Sequence, residues 1–375
     1  MNQEMRDAGN ALKGMACLMA CWVTACLGQD TDRLPREELM VWRDDSGQVQ
    51  PVRNVADWER RRQEIVRGME AVMGRLPGEE KRCPLDWVVE EEVDCGAYVR
   101  RSIRYQAEPG PAGRVPAYLC LPKKYLPGQA RHPAVLCLHP TDNVVGYGVV
   151  VGLGGKPNRQ YAAELAERGY VTISPNYPLL AQYQPDLKSL GYVSGTMKAI
   201  WDNIRALDLL ESLPEVRPGA FGAIGHSLGG HNAVYTAVMD PRIRVVVSSC
   251  GLDSFVDYYG GDPGVWKPGK GWCSERYMPR LLEYAERLDR IPFDFAELLG
   301  ALAPRPVFIN APLSDGNFQW RSVDRIAAAA GPVHDLYEER GGIQVEHPDC
   351  GHDFPDAVRL KAYRELDGVL LGRRN

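Results

Sequence analysis

From residue 134 onward, short apolar runs alternate with amphipathic stretches. Ala134-Val135-Leu136-Cys137-Leu138 is continuously apolar, the pattern of a strand covered on both faces in a parallel sheet. The spacing then predicts a helix over 160–168, a strand over 170–174 and a longer helix over 194–212. A strand over 220–225, a helix over 228–239 and a strand over 243–249 follow. Strands over 306–310 and 343–346 and a helix over 355–371 close the pattern. Strands alternating with helices predict βαβ units with right-handed crossovers, hence an α/β fold. Its sheet is mostly parallel, with helices on both faces in three layers.

Upstream the pattern differs. Residues 56–76 are rich in Arg, Glu and Met without Pro and run into Pro77-Gly78, which predicts an amphipathic helix with a sharp stop. Over 95–108 and 115–121, β-branched and aromatic residues alternate with polar ones around a Pro/Gly cluster at 109–113, so the two read as antiparallel strands. Between 251 and 299 the alternation of strands and helices lapses. That stretch carries Tyr258, Tyr259, Trp266, Trp272 and Tyr277 among Gly and Pro. It reads as a lid inserted over about 252–298.

The composition narrows the class. The 375 residues carry 44 Lys+Arg against 49 Asp+Glu, a net charge of −5, which argues against a nucleic-acid binder. A hydrophobic fraction of 45% with 25% charged residues excludes a disordered, collagenous or multi-span membrane chain. Residues 1–28 combine early basic residues with an uncharged run from Gly14 to Gly28, the pattern of an export signal. Val23-Thr24-Ala25-Cys26 and Leu18-Met19-Ala20-Cys21 both fit a lipidation site, so a lipid anchor at Cys21 or Cys26 stays open. The expected organisation is a leader (1–28), an N-terminal helix with antiparallel strands (29–112) and a core (113–375), in an exported protein. Beyond the leader no CxxC or zinc-type Cys/His spacing occurs. Cys83 and Cys95 could pair, whereas Cys137 and Cys250 sit in apolar runs as small buried hydrophobes.

The chemistry is carried by Gly225-His226-Ser227-Leu228-Gly229. A G-x-S-x-G gains meaning where a strand ends and a helix begins, because that sharp turn lifts the serine above the sheet. Ser227 is therefore the candidate nucleophile. A serine needs a base and a group to orient that base. His352 lies in the loop between the last strand and the last helix and is favoured over His347 as the base. Asp315, in the loop after strand 306–310, is the candidate acid, with a plain Asp-Gly turn as the alternative. The oxyanion donors expected are the N–H of Leu228 and, because Pro140 has none, the N–H of Thr141. Trp266 and Trp272 are candidates for stacking on substrate, or else for packing the lid onto the core. No metal-ligand spacing, phosphate loop or dinucleotide fingerprint is present, so no cofactor is expected. The expected partner is a small-molecule or carbohydrate ester.

These residues, in the order Ser227, Asp315, His352, resemble the α/β-hydrolase superfamily over about 113–375. The N-terminal part, through Trp58, Arg60-Arg61-Arg62, Ile65 and residues 74–77, resembles acetyl xylan esterase-like and dienelactone hydrolase-like bacterial members. The resemblance implies carboxylic ester hydrolysis through an acyl-enzyme, several relatives acting on plant polysaccharide side chains. Glucuronoyl esterases are similar in layout. Their motif carries Cys before the serine and Arg after it, where this chain has His226 and Leu228, which counts against that activity. The usual His-Gly of the oxyanion loop is His139-Pro140 here. Two alternatives remain: a prolyl-oligopeptidase-like peptidase, for which about 85 residues upstream of the core are too few to build a propeller, and a non-catalytic binding protein on the same scaffold.

Overall fold

The computed structural model describes residues 33–337 and 342–372. The expected leader and its candidate lipidation sites, Cys21 and Cys26, lie outside the described residues. None of the described helices is long and apolar enough to cross a membrane.

A short hairpin, β1 (Val41–Arg43) and β2 (Val49–Pro51), precedes helix α1 (Val55–Met73). The Asn54 side chain caps α1 by accepting the Asp57 N–H at 3.0 Å, and the helix ends at Gly74 with φ 95°. A Cβ at Gly74 would sit 3.1 Å from Val193, so the stop is set there, ahead of the Pro77-Gly78 pair that the sequence suggested. Trp58, fully buried, packs against Gly300, and the buried Arg61 pairs with Glu297. Residues 56–76 thus form a structural strut against the core.

Three antiparallel strands follow: β3 (Val88–Asp94), β4 (Tyr98–Gln106) and β5 (Arg114–Pro122). Beyond them come β6 (His132–Leu138), α2 (Tyr161–Glu167), β7 (Val171–Pro175) and α3 (Gly195–Ser212). Next are β8 (Val216–His226), α4 (Leu228–Met239), β9 (Ile243–Ser249) and α5 (Phe295–Ala301). The chain closes with β10 (Val307–Asn310), α6 (Trp320–His334), β11 (Ile343–Glu346) and α7 (Asp356–Leu370). The nine-stranded sheet has the order β11-β10-β9-β8-β6-β7-β5-β4-β3. It is parallel from β11 to β7 and antiparallel from β5 outward. The expected mostly parallel α/β architecture is the one observed. Each residue of β6 is buried, as a central strand requires. One core lies around α1, α3, α4 and α5, and a second around α2 and α7.

The hairpin β1–β2, strand β3 and helices α5 and α6 escaped the sequence reading. β3 exposes Glu90, Glu91 and Glu92 and shows no apolar alternation; its pairing comes from β4. Helix α6 is the crossover that the parallel β10–β11 pair demands. The segment after β9 is a chain of short 3-10 turns from Tyr258 to Arg290, followed by α5. The seven described cysteines are free: Cys83 lies against Gln106 O and Cys95 against Val93 O, not against each other.

Register explains where the chemistry collects. Leu138 pairs with Gly225, Gly225 with Ser248, Ser249 with Asn310, and Asn310 with Glu346. The carboxyl ends of these strands therefore finish level, and their following loops share one side of the sheet, where α/β sheets bind ligands.

Candidate active site

Ser227 sits between β8 and α4 with φ 56° and ψ −119°, a conformation that L-residues avoid and that persists only where the surroundings impose it. Its N–H donates to Ser249 O at 2.7 Å. A Cβ at Gly225 would lie 2.1 Å from Gly229 O, and one at Gly229 would lie 2.0 Å from Leu138 O. Only hydrogen fits at either position, so the turn can close against the sheet.

His352 Nδ1 donates to Asp315 Oδ2 at 2.8 Å. The Asp315 side chain is fully shielded from solvent. Its other oxygen, Oδ1, accepts the N–H of Asn317 at 2.8 Å and of Phe318 at 3.3 Å. The carboxylate is thus fixed before it meets the imidazole, and the Phe318 ring stacks on His352 at 5.9 Å. His347, the competing base, turns away: it contacts Asp324 Oδ1 at 2.9 Å and Ala311 O at 2.7 Å. Asp353 pairs with Arg159 and with Asn158. Ser227 and His352 line one cavity of about 320 Å³. Among the described residues the Ser227 hydroxyl makes no hydrogen bond. A bond between a serine and its base often tightens only with substrate bound.

Behind this pair lies a buried polar layer that sequence reading missed. His226 Nδ1 bonds Ser249 Oγ at 2.9 Å, and its ring meets His352 edge-on at 4.8 Å. Burial holds His226 well below the usual imidazole range, so it is neutral. Asn310 Nδ2 donates to Ser249 Oγ and to Asp353 O, both at 2.8 Å. His226, Cys250 and His352 bring ligand-type atoms within 4.8 Å of one another. Each of the three already has a protein partner: His226 Nδ1 has Ser249 Oγ, the Cys250 thiol has Asp353 O at 3.3 Å, and His352 Nδ1 has Asp315. Burial also pushes the Cys250 thiol's pKa well up.

The loop after β6, which carries Thr141, is pinned by His139. Burial lowers its pKa to about 4. Neutral, it accepts the Tyr177 N–H on Nε2 at 2.9 Å and donates from Nδ1 to Pro140 O at 2.8 Å. Thr141 and Leu228 both line the cavity. Among the described residues their backbone N–H groups find no protein acceptor, which leaves them available to an incoming oxygen. Trp272 lines the same cavity but is held edge-on against His231 at 4.6 Å and against Phe255. Trp266 does not reach the cavity; only 3% exposed, it packs on Phe255 and Tyr258. The aromatic that does stand at the rim is Tyr259, 42% exposed. Tyr258, Tyr277, Asn317 and Phe318 complete the lining. No spacing signal marks these residues, because they come from separate irregular segments.

Residues 115–260 match the Dienelactone hydrolase family. YtaP of Bacillus subtilis (strain 168), which carries the name of a hydrolase, is 26% identical over 264 residues, 68% of this chain and 83% of that protein. The 4-O-methyl-glucuronoyl methylesterase 1 of Wolfiporia cocos is 25% identical over 204 residues; the match spans 50% of this chain and 49% of that one. Among solved structures, a glucuronoyl esterase from Solibacter usitatus superposes with a TM-score of 0.70 at 20% identity, covering 91% of this chain and 98% of its own. An acetyl xylan esterase from Paenibacillus sp. R4 gives 0.53 at 19% identity, over 77% and 90%. The chain has the α/β-hydrolase fold these structures share.

Proposed function

We propose that this chain, an α/β-hydrolase by fold, is a serine esterase that removes small acyl groups from carbohydrate. Ser227 Oγ attacks the ester carbonyl while its proton passes to His352 Nε2. Asp315 holds the imidazole with Nε2 facing the cavity and stabilises the imidazolium. The carbonyl oxygen gains negative charge and is met by the N–H groups of Leu228 and Thr141. Collapse breaks the carbonyl–alkoxy bond, and the alcohol leaves with the proton from His352. Water, deprotonated by the same imidazole, then releases the acid from the serine. The observation that carries the reading is the His352–Asp315 hydrogen bond at 2.8 Å beside the cavity that Ser227 lines.

The substrate class rests on two supports. Relatives named as acetyl xylan and glucuronoyl esterases act on carbohydrate esters, and a cavity walled by Tyr258, Tyr259 and Asn317 offers both flat faces and hydrogen-bonding groups to a sugar. Leu228 follows the nucleophile here, where glucuronoyl esterases resembling this chain carry Arg. That difference favours acetyl over uronyl esters. A leader at 1–28 would deliver the enzyme outside the cytoplasm, where such polymers lie.

The test is acid release from acetylated xylo-oligosaccharides, methyl glucuronate esters and p-nitrophenyl acetate, by wild type and Ser227→Ala. Serine-dependent release from the acetylated sugars is expected. No serine-dependent turnover of any ester would favour the binding protein, and turnover of peptides alone the peptidase.

A further inference from the structure

Tyr277 belongs to the irregular segment after β9, yet its phenol reaches the oxyanion loop. Its Oη lies 2.9 Å from Thr141 Oγ1. Its ring packs against the small cluster that contains Tyr177 and Leu228. The residue therefore touches Thr141 on one side and the cluster that holds Leu228 on the other, and it lines the same cavity as Ser227. Its position is fixed from several directions. Trp272 stands against it at 5.6 Å and His231 at 6.0 Å, and its N–H donates to Ser274 O at 2.9 Å. The neighbouring Arg276 donates to Asn143 Oδ1 at 3.1 Å and also lies beside the Tyr277 phenol. A guanidinium and the Thr141 hydroxyl thus flank the phenol oxygen. With Thr141 Oγ1–H donating to that oxygen, the phenol proton is free to point into the cavity.

We propose that the Tyr277 hydroxyl is a third oxyanion donor, hydrogen-bonding the substrate's carbonyl oxygen beside the N–H groups of Leu228 and Thr141. No proton is transferred. The phenol only lends its hydrogen to an oxygen whose negative charge grows in the transition state, so its contribution appears in the chemical step more than in binding. Arg276 and Thr141 act through it as positioning residues: burial raises the phenol's pKa, and the pull of both groups on its oxygen offsets part of that rise. The inference rests on the serine-esterase reading and adds a group to its machinery.

The experiment compares wild type and Tyr277→Phe on p-nitrophenyl acetate, together with inhibition by an aryl trifluoromethyl ketone, which forms a tetrahedral adduct on a serine. The Phe variant keeps the ring and its packing. We expect kcat to fall about 10- to 100-fold with KM within threefold, in keeping with the loss of one oxyanion donor. The Ki of the ketone should rise by the same factor by which kcat/KM falls. Thr141→Val should lower kcat by a smaller factor, and little further in the Tyr277→Phe background. A Tyr277→Phe enzyme with kcat within twofold of wild type, or with a raised KM alone, would overturn the assignment while leaving the esterase reading intact. Absence of Ser227-dependent turnover in wild type would overturn that reading, and this assignment with it.

Discussion

The Asp315 carboxylate accepts from His352 with one oxygen and from the backbone N–H groups of Asn317 and Phe318 with the other. The acid is therefore oriented by its own loop and the base by the acid. Asp315→Asn should keep the fold but present an amide that can favour the wrong imidazole tautomer. A fall in kcat on the order of 10⁴-fold is expected, measured on p-nitrophenyl acetate with circular dichroism as the control for folding.

The two C-terminal histidines should behave oppositely. His352→Ala removes the base and should lower kcat at least about 10³-fold. His347→Ala breaks the contact to Asp324 and the tilted stack on Trp320, and should leave kcat within about threefold. Steady-state kinetics of both variants separates them. A large loss in His347→Ala alone would reassign the base.

The glycines of the elbow admit no side chain. Gly229→Ala would push a methyl group onto the Leu138 carbonyl, 2.0 Å from the Cβ position. Because the obstacle is backbone, the turn must open or β6 must move, at a cost of about 1–3 kcal/mol or more. The expected outcome is a lower urea midpoint together with loss of turnover. Gly316→Ala, with no atom within 4 Å of its Cβ position, serves as a neutral control.

His139 should make stability depend on pH. Unfolded, it binds a proton near 6.5; folded, burial lowers that to about 4. Between these values the unfolded state holds more protons, so stability falls as pH drops from about 6.5 to 4. This one group contributes up to about 3 kcal/mol of that loss. Urea unfolding at pH 7 and pH 5 checks it: His139→Gln should be less stable overall but lose less between the two values than wild type does.

The buried ion pair between α1 and α5 gives a further expectation. Arg61 and Glu297 are each 2% exposed. Arg61→Ala removes the counter-charge of a buried carboxylate that also accepts the Asp294 N–H, and should cost about 3–5 kcal/mol, read from chemical denaturation, with KM unchanged for the molecules that remain folded.

Much of the scaffold was legible because the inner parallel strands β6, β7 and β10 are buried on both faces, while the edge strand β11 alternates apolar and polar residues. β9 and β11 and helix α4 fall on the predicted bounds, and β8 starts earlier than its apolar run because Val216 pairs with His132 before the bulge. The Ser227 turn was legible from its glycines, and Asp315 and His352 from their places after particular strands. What stayed hidden depends on contacts between distant segments. The edge strand β3 has no pattern of its own. The choice between Trp266 in the core and Tyr259 at the rim depends on how irregular turns fold back over the sheet, and nothing local records that path. The part played by His139 was not legible, since it holds its loop through the backbone of Tyr177 and Pro140, contacts that leave no trace in residue types.

Ser227, the proposed nucleophile, follows β8 mid-sheet, while Asp315 and His352 arrive from loops after β10 and β11 at the sheet's far border. The three side chains therefore share one side of the sheet only because the ends of β8, β9, β10 and β11 finish level. A change that slides β11 along β10 would carry His352 away from Ser227 without touching the serine turn, so turnover should report that register where the turn itself does not.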